Sequence, residues 1–237
     1  MGKVFLTLVI SAIISTAFSQ KAKDNTLSSK EKREHWKLLF DGTTANGWTS
    51  ADNTPVTAAP GGWEIINGAL TLKKGAHGGD IYTAEEYSDF EFTADFNIEP
   101  ATNTGIKYFC HQYDKGGNLG MEYQIIDDKL SEDTKQANHL LGSLYDVLPP
   151  DEARKKVNPP GEWNTIRIVS KGKHVEHWLN GVKILDYTRG SKTYLDGVAA
   201  SKFSKAEPVF GMIEKGRIQL QDHHDPVAFK NIKVRVL

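Results

Sequence analysis

The chain has 237 residues, 29 basic and 30 acidic side chains, a formal charge of −1 and one cysteine, Cys110. Near neutrality without a basic stripe removes the electrostatic basis for binding nucleic acid. A lone cysteine excludes an internal disulfide, so a protein working outside the cytoplasm would rely on its core, as suits a bacterial envelope.

Met1-Gly2-Lys3, an apolar run from Val4 to Phe18, and the small-x-small triplet Ala17-Phe18-Ser19 before Gln20 form a signal-peptide pattern over residues 1–19. The run is shorter than the roughly 20 residues of a membrane span, which predicts cleavage and a periplasmic or secreted protein without a membrane span. Residues 20–34 are charged and almost free of apolar side chains, predicting a flexible leader. A single domain over 35–237 is long enough to bury a substantial core.

From Trp36 onward, short β-like runs alternate with turns rich in Gly, Asn and Asp. They are Trp36–Phe40, Gly62–Ile66, Ala69–Leu72, Phe90–Ile98, Gly105–His111, Met121–Ile126, Trp163–Ser170, His174–Leu179, Val182–Tyr187, Val209–Glu214, Arg217–Asp222 and Ala228–Val236. Such a series predicts an all-β, two-sheet antiparallel sandwich or jelly roll. Asn67-Gly68 and Asn180-Gly181 are hairpin turns by composition. Phe90–Ile98 shows the plain pattern, with Phe90, Phe92, Ala94, Phe96 and Ile98 inward. Helix signals are confined to Ala84–Tyr87 and a turn near Val198–Lys205. Asp127–Gly161, with Pro149-Pro150 and Pro159-Pro160, is too long to be a mere connection and reads as a rim loop over a site.

Side chains alternate faces along a strand. In the strand opening Gly216–Val236, Ile218 and Leu220 share one face, while Gln219, Gln221 and His223 share the other. Amides and imidazoles in a row hydrogen-bond hydroxyls as donors and as acceptors. The same rule sets Glu122 beside Gln124, and Lys107 beside Phe109 and His111. If these strands are neighbours they form a polar concave surface; the plainer reading is an ordinary solvated face. Glu122 and Asp127 fall on opposite faces, which weakens a two-carboxylate glycosidase unless Asp127 turns inward at a bulge.

The eight histidines show no zinc spacing, so no catalytic metal is expected. His77-Gly78-Gly79-Asp80 and Asp225 are candidate ligands of a structural Ca²⁺, although Gly and Asp in loops chiefly form turns. Trp48, Trp63 and Trp163 read as core, whereas Trp178, on a face with His174 and Glu176, is a candidate stacking surface for a sugar. Cys110 reads as a buried apolar residue.

The order of the motifs is more specific than any one of them. Leu39-Phe40-Asp41-Gly42, Gly47-Trp48, Gly79-Asp80-Ile81-Tyr82-Thr83 and Tyr87-Ser88-Asp89-Phe90-Glu91 are followed by Asn103-Thr104-Gly105-Ile106 and Met121-Glu122-Tyr123-Gln124-Ile125-Ile126-Asp127. Then come His139, Gly142-Ser143-Leu144-Tyr145, Pro160-Gly161-Glu162-Trp163-Asn164, His177-Trp178-Leu179-Asn180-Gly181 and Gln219-Leu220-Gln221-Asp222-His223. This series resembles the 3-keto-disaccharide hydrolase family over roughly Trp36 to Leu237. The resemblance implies a concanavalin A-like jelly roll of the glucanase type and activity on glycosides oxidised to a ketone at sugar carbon 3. Such a substrate has an acidic C2 proton, so its cleavage needs one base, an enolate stabiliser and hydroxyl-binding groups. The candidates are Glu122 or His139 as base and Lys107 or His223 as stabiliser, with Gln124, Gln221 and Tyr145, and also Asp127 and Trp178, as substrate contacts. His139 and Tyr145 would make the long loop a lid as well as a rim. A non-catalytic glycan-binding module and a conventional β-glucanase are the alternatives.

Overall fold

Alternating burial builds the two layers. In the computed structural model, which describes residues 23–237, Phe90, Phe92, Ala94 and Phe96 are fully buried and Ile98 nearly so, as the pattern predicts. The signal-peptide reading of residues 1–19 lies outside the described residues. The elements are α1 (Ser29–Arg33), β1 (Lys37–Leu38), β2 (Trp48–Thr49), β3 (Glu64–Ile66), β4 (Ala69–Leu72), β5 (Ile81–Tyr87), β6 (Phe90–Ile98), β7 (Asn103–Tyr113) and β8 (Gly117–Ile126), followed by β9 (Asn164–Lys171), β10 (His174–Leu179), β11 (Val182–Thr188), α2 (Lys192–Ala200), β12 (Gly216–Leu220) and β13 (Val227–Val236).

Two antiparallel sheets pack face to face. One runs β11-β10-β9-β6-β13-β4-β3, with β1 also on β13; the other runs β2-β5-β12-β7-β8. Both expected hairpins form, with positive φ at Asn67 and Gly68 and at Asn180 and Gly181, the conformation that Asn-Gly tolerates best. Among the described residues, no helix is long and apolar enough to cross a membrane.

A buried polar chain ties the sheets together. His177 of β10 faces the core, with Nδ1 2.9 Å from the Gly142 carbonyl and Nε2 2.7 Å from the Tyr108 hydroxyl, which lies 2.6 Å from that of Tyr187. Burial pushes the His177 pKa down to about 4, opposed by its bond to Gly142. The ring is therefore neutral: Nδ1–H donates to the carbonyl and Nε2 accepts from Tyr108.

Four local expectations are corrected. The leader is ordered where it is described: Asn25 is buried, and its backbone N–H and side-chain oxygen exchange hydrogen bonds with Asn231, 2.6 and 2.8 Å long, at a bulge in β13. Ser28 and Glu31 then form a reciprocal capping box that starts α1; composition alone does not register such caps. Ala84–Tyr87 belongs to β5, because pairing with β12 overrides local propensity. Val209–Glu214 is irregular, since the Arg189 guanidinium takes the carbonyls of Gly211 and Ile213, at 3.0 and 2.9 Å, that a ladder would otherwise use.

The fourth concerns the long segment after β8. The Gly142 and Tyr145 amides donate to the Gln124 and Glu122 carbonyls at 2.9 and 3.0 Å, and Leu141, Leu144 and Val147 are buried beneath. It is a rim, as expected, but one fixed along the edge of β8 as a wall and not built as a lid.

His177 has a consequence for stability. Between the unfolded value of 6.5 and the folded value of about 4, the unfolded chain binds one more proton, so this contribution is complete above the unfolded value and is lost as pH falls through the folded one. Denaturant unfolding should show a loss of about 3 kcal/mol from this residue between neutral pH and pH 4. His177→Gln should be less stable at neutral pH and should lack that part of the slope.

Candidate active site

The polar face is built by register. β12 lies between β5 and β7, and β7 pairs with β8, so Tyr82, Gln219, Lys107 and Glu122 stand opposite one another across four strands. In the adjoining row, the Gln221 amide donates to the Gly105 carbonyl at 3.0 Å, and Gly105 stands opposite Gln124. The other face of these strands carries Ile106, Tyr123 and Leu220, all fully buried in the core.

Glycine makes room for the carboxylate. A Cβ on Gly105 would lie 2.5 Å from Glu122 Oε1 and 2.9 Å from its Cγ, so the Glu122 side chain lies across the space a side chain would occupy. Glu122 is 6% exposed, and Lys107 Nζ is 3.7 Å from its Oε2. The Gln124 amide, with its nitrogen turned toward acceptors, donates to Glu122 Oε1 and to the Thr104 carbonyl, each at 3.0 Å. Burial pushes the Glu122 carboxyl above the ordinary carboxylate range. Lys107, Lys202 and His223 pull it partly back, and Asp80 opposes them.

Above this row is a cavity of about 190 Å³. It unites Lys107, Glu122, Gln124, Tyr145, Gln221 and His223, all anticipated from sequence. Among its described lining residues, Glu122 is the only carboxylate.

Other anticipated residues lie elsewhere. His139 sits behind Tyr145, with ring centroids 4.5 Å apart, and its two nitrogens lie 2.8 Å from Asp133 and 3.1 Å from Asp146. Burial works against its charge, but the two carboxylates outweigh it and raise its pKa. Tyr145 donates to the same Asp133 at 2.8 Å, so His139 and Asp133 together hold Tyr145 against the cavity. Asp127 makes no inward turn; its oxygens accept from the Ala101 and Lys129 amides at 3.0 Å each and staple the end of β8. Trp178 lies on the opposite sheet, on the face away from buried His177. Arg167 stands over its ring at 4.8 Å, and its Nε1 donates to Glu176.

A bulge corrects the alternation in β7. Two residues, Phe109 and Cys110, oppose one on β8, and Phe109 at φ +54° turns into the core instead of following Lys107 outward. Gly216 permits the approach, because a Cβ there would lie 2.5 Å from the Phe109 carbonyl carbon. Cys110 is buried under the polar row with its Sγ 3.5 Å from Gln219 Oε1, and burial pushes its thiol far up, as expected of an inert residue. Gln219 is closed over at 3% exposure. In the loops considered for calcium, Asp80 accepts from the Asp222 amide at 2.9 Å and Asp225 from the Asn103 amide at 2.8 Å. Both carboxylates serve as loop staples.

Sequence reasoning gave no site role to Asn103, Asn118, Lys202 or Phe203, which also line the cavity. Asn103 was within reach, since it shares a strand face with Gly105 and Lys107. Lys202 and Phe203 arrive from the turn after α2, and nothing local connects that turn with β8.

Residues 35–235 match the model of the 3-keto-alpha-glucoside-1,2-lyase-like domain. The chain belongs to that family. It is a family of carbohydrate-active enzymes. A protein of Bacteroides thetaiotaomicron named 3-keto-disaccharide hydrolase is 31% identical over 94% of this chain and 87% of its own length. Two crystal structures from Parabacteroides distasonis, each described as a candidate glycosyl hydrolase, share the fold. One has a TM-score of 0.79 at 33% identity, covering 91% of this chain and all of that one. The other has a TM-score of 0.66 at 27% identity, covering 85% and 99%.

Gly105→Ala tests the seating of Glu122. The added methyl would displace the carboxylate, so any glycoside-cleaving activity should fall at least tenfold. The thermal midpoint should shift by only a few degrees, corresponding to about 1 kcal/mol of overpacking.

Proposed function

We propose that the protein cleaves 3-keto-glycosides by elimination followed by hydration, with Glu122 as the base. The observation that carries this reading is the buried Glu122 carboxyl, raised in pKa, set beside Lys107 and the one carboxylate among the described lining residues of a cavity whose other polar groups are amide, hydroxyl, imidazole and amine. A conventional glycosidase works with two carboxyl groups about 5 to 10 Å apart across the bond. Asp127, the partner that reading needs, is held by backbone amides elsewhere.

In the proposed reaction, the Glu122 carboxylate removes the C2 proton, and its electron pair enters the C2–C3 bond to give an enolate at O3. Lys107 and His223 stabilise that oxyanion, while Gln124, Gln221 and Tyr145 hold hydroxyls. When the C3 carbonyl re-forms, the electrons move into C1–C2, the C1–O bond breaks, and the departing aglycone oxygen takes up a proton. Water adds to C1 and a proton returns to C2, leaving the free 3-keto sugar. A raised pKa suits a carboxylate to this work, because a base is most effective near the operating pH. His139, held by Asp133 and Asp146 behind Tyr145, is a positioning residue in this scheme. The proposed setting is outside the cytoplasm, supported by the sequence at Met1–Gln20.

The test is aglycone release from a 3-keto-glucoside. Glu122→Gln should lose about 10²–10⁴-fold in kcat while still binding the substrate. Release at the parental rate by this variant would overturn the assignment. The pH dependence supplies a further check. Since Glu122 must be ionised, kcat/KM should rise with pH through a midpoint above the ordinary carboxylate value, and Lys107→Met should move that midpoint higher still, because it removes the charge that pulls the pKa down.

A further inference from the structure

We propose that the groove between the β7–β8 turn and the turn after α2 is the leaving-group subsite, and that it selects aglycones bearing a negative charge. This rests on the reading of the Glu122 cavity as catalytic. The groove has a volume of about 480 Å³, and Leu119, Lys202 and Phe203 line both it and the cavity, so it opens directly off the reacting centre.

Its walls are held in place. The Glu207 carbonyl accepts from the amides of Asp114 and Lys115 at 2.8 and 3.3 Å, and the Glu207 amide donates to the Lys115 carbonyl at 3.1 Å, which fastens the two turns together. Phe203 stacks on Phe210 with centroids 4.0 Å apart and planes 2° from parallel. With Leu119 and Ala206 it forms an apolar floor suited to a flat aglycone.

The charge on the groove is of one sign. Lys115, Lys202 and Lys205 line it, and no carboxylate does so among the described residues. Lys115 is paired with Glu207 at 2.7 Å, and the Lys202 ammonium stands over the Tyr145 ring at 4.4 Å. Lys205 has no ion pair among the described residues. An apolar floor would accept any flat leaving group, whereas an unneutralised cation beside it discriminates by charge.

The experiment compares two 3-keto-glucosides with one aryl skeleton, the first bearing a carboxylate and the second its methyl ester. The quantity read is the ratio of their kcat/KM values in the parent and in variants, so intrinsic leaving-group differences cancel. Lys205→Glu should lower the carboxylate-to-ester ratio about fivefold, the scale of an exposed charge interaction, and Lys205→Arg should retain it. High salt should bring the parent's ratio toward that of Lys205→Glu. An identical ratio in all three proteins overturns the proposal. If the parent releases neither aglycone, the catalytic reading has failed; calorimetry with the unoxidised glucosides of the same aglycones then tests the groove, and equal affinity for both or binding of neither overturns it.

Discussion

The site depends on one expensive burial. A carboxylate removed from water without compensation is strongly disfavoured, yet Glu122 is 6% exposed on a sheet whose other face is the core. Three neighbours make this tolerable. Gly105 gives up the volume, Lys107 supplies a cation at 3.7 Å, and Gln124 supplies an amide donor at 3.0 Å. The compensation is incomplete, and the carboxyl is left with a raised pKa. In the proposed mechanism, that remaining desolvation is what fits Glu122 to accept a proton from carbon.

The fold serves this by fixing strand order and register. Lys107, Glu122 and Gln219 are far apart in sequence and meet because β12 enters between β5 and β7. A slip of one residue would send each polar group into the core. The bulge at Phe109 pins β7 against such a slip, with Gly216 leaving space for it. On the far side, the Gly142–Tyr145 strip pairs with β8, and His177 bonds the Gly142 carbonyl from the opposite sheet. The cavity wall is thereby coupled to the core.

What the sequence made legible was whatever alternation and turn chemistry encode. Phe90–Ile98 and the two Asn-Gly hairpins formed as expected, and the polar faces of β7 and β8 with the segment just after β12 carried Lys107, Glu122, Gln124, Gln221 and His223 to the cavity. The in-order motifs pointed to the family that the chain matches. The failures share a cause in long-range contacts. Phe109 departs from alternation through a bulge, Val209–Glu214 is held out of a sheet by Arg189, and Asn25 orders the leader through a residue some two hundred positions away. His139 looked like a base by its chemistry, but its partners Asp133 and Asp146 become visible as such only in three dimensions. Trp178 kept a partly exposed ring, but on the wrong sheet.

The claim that cleavage passes through loss of the C2 proton can be tested directly by running the reaction on a 3-keto-glucoside in D₂O and examining the sugar product at the earliest turnovers. Elimination and hydration predict that the released 3-keto sugar carries solvent deuterium at C2. Release of the aglycone with protium fully retained at C2, and at the same rate from a C2-deuterated substrate, would show direct displacement at C1 and contradict the role given to Glu122.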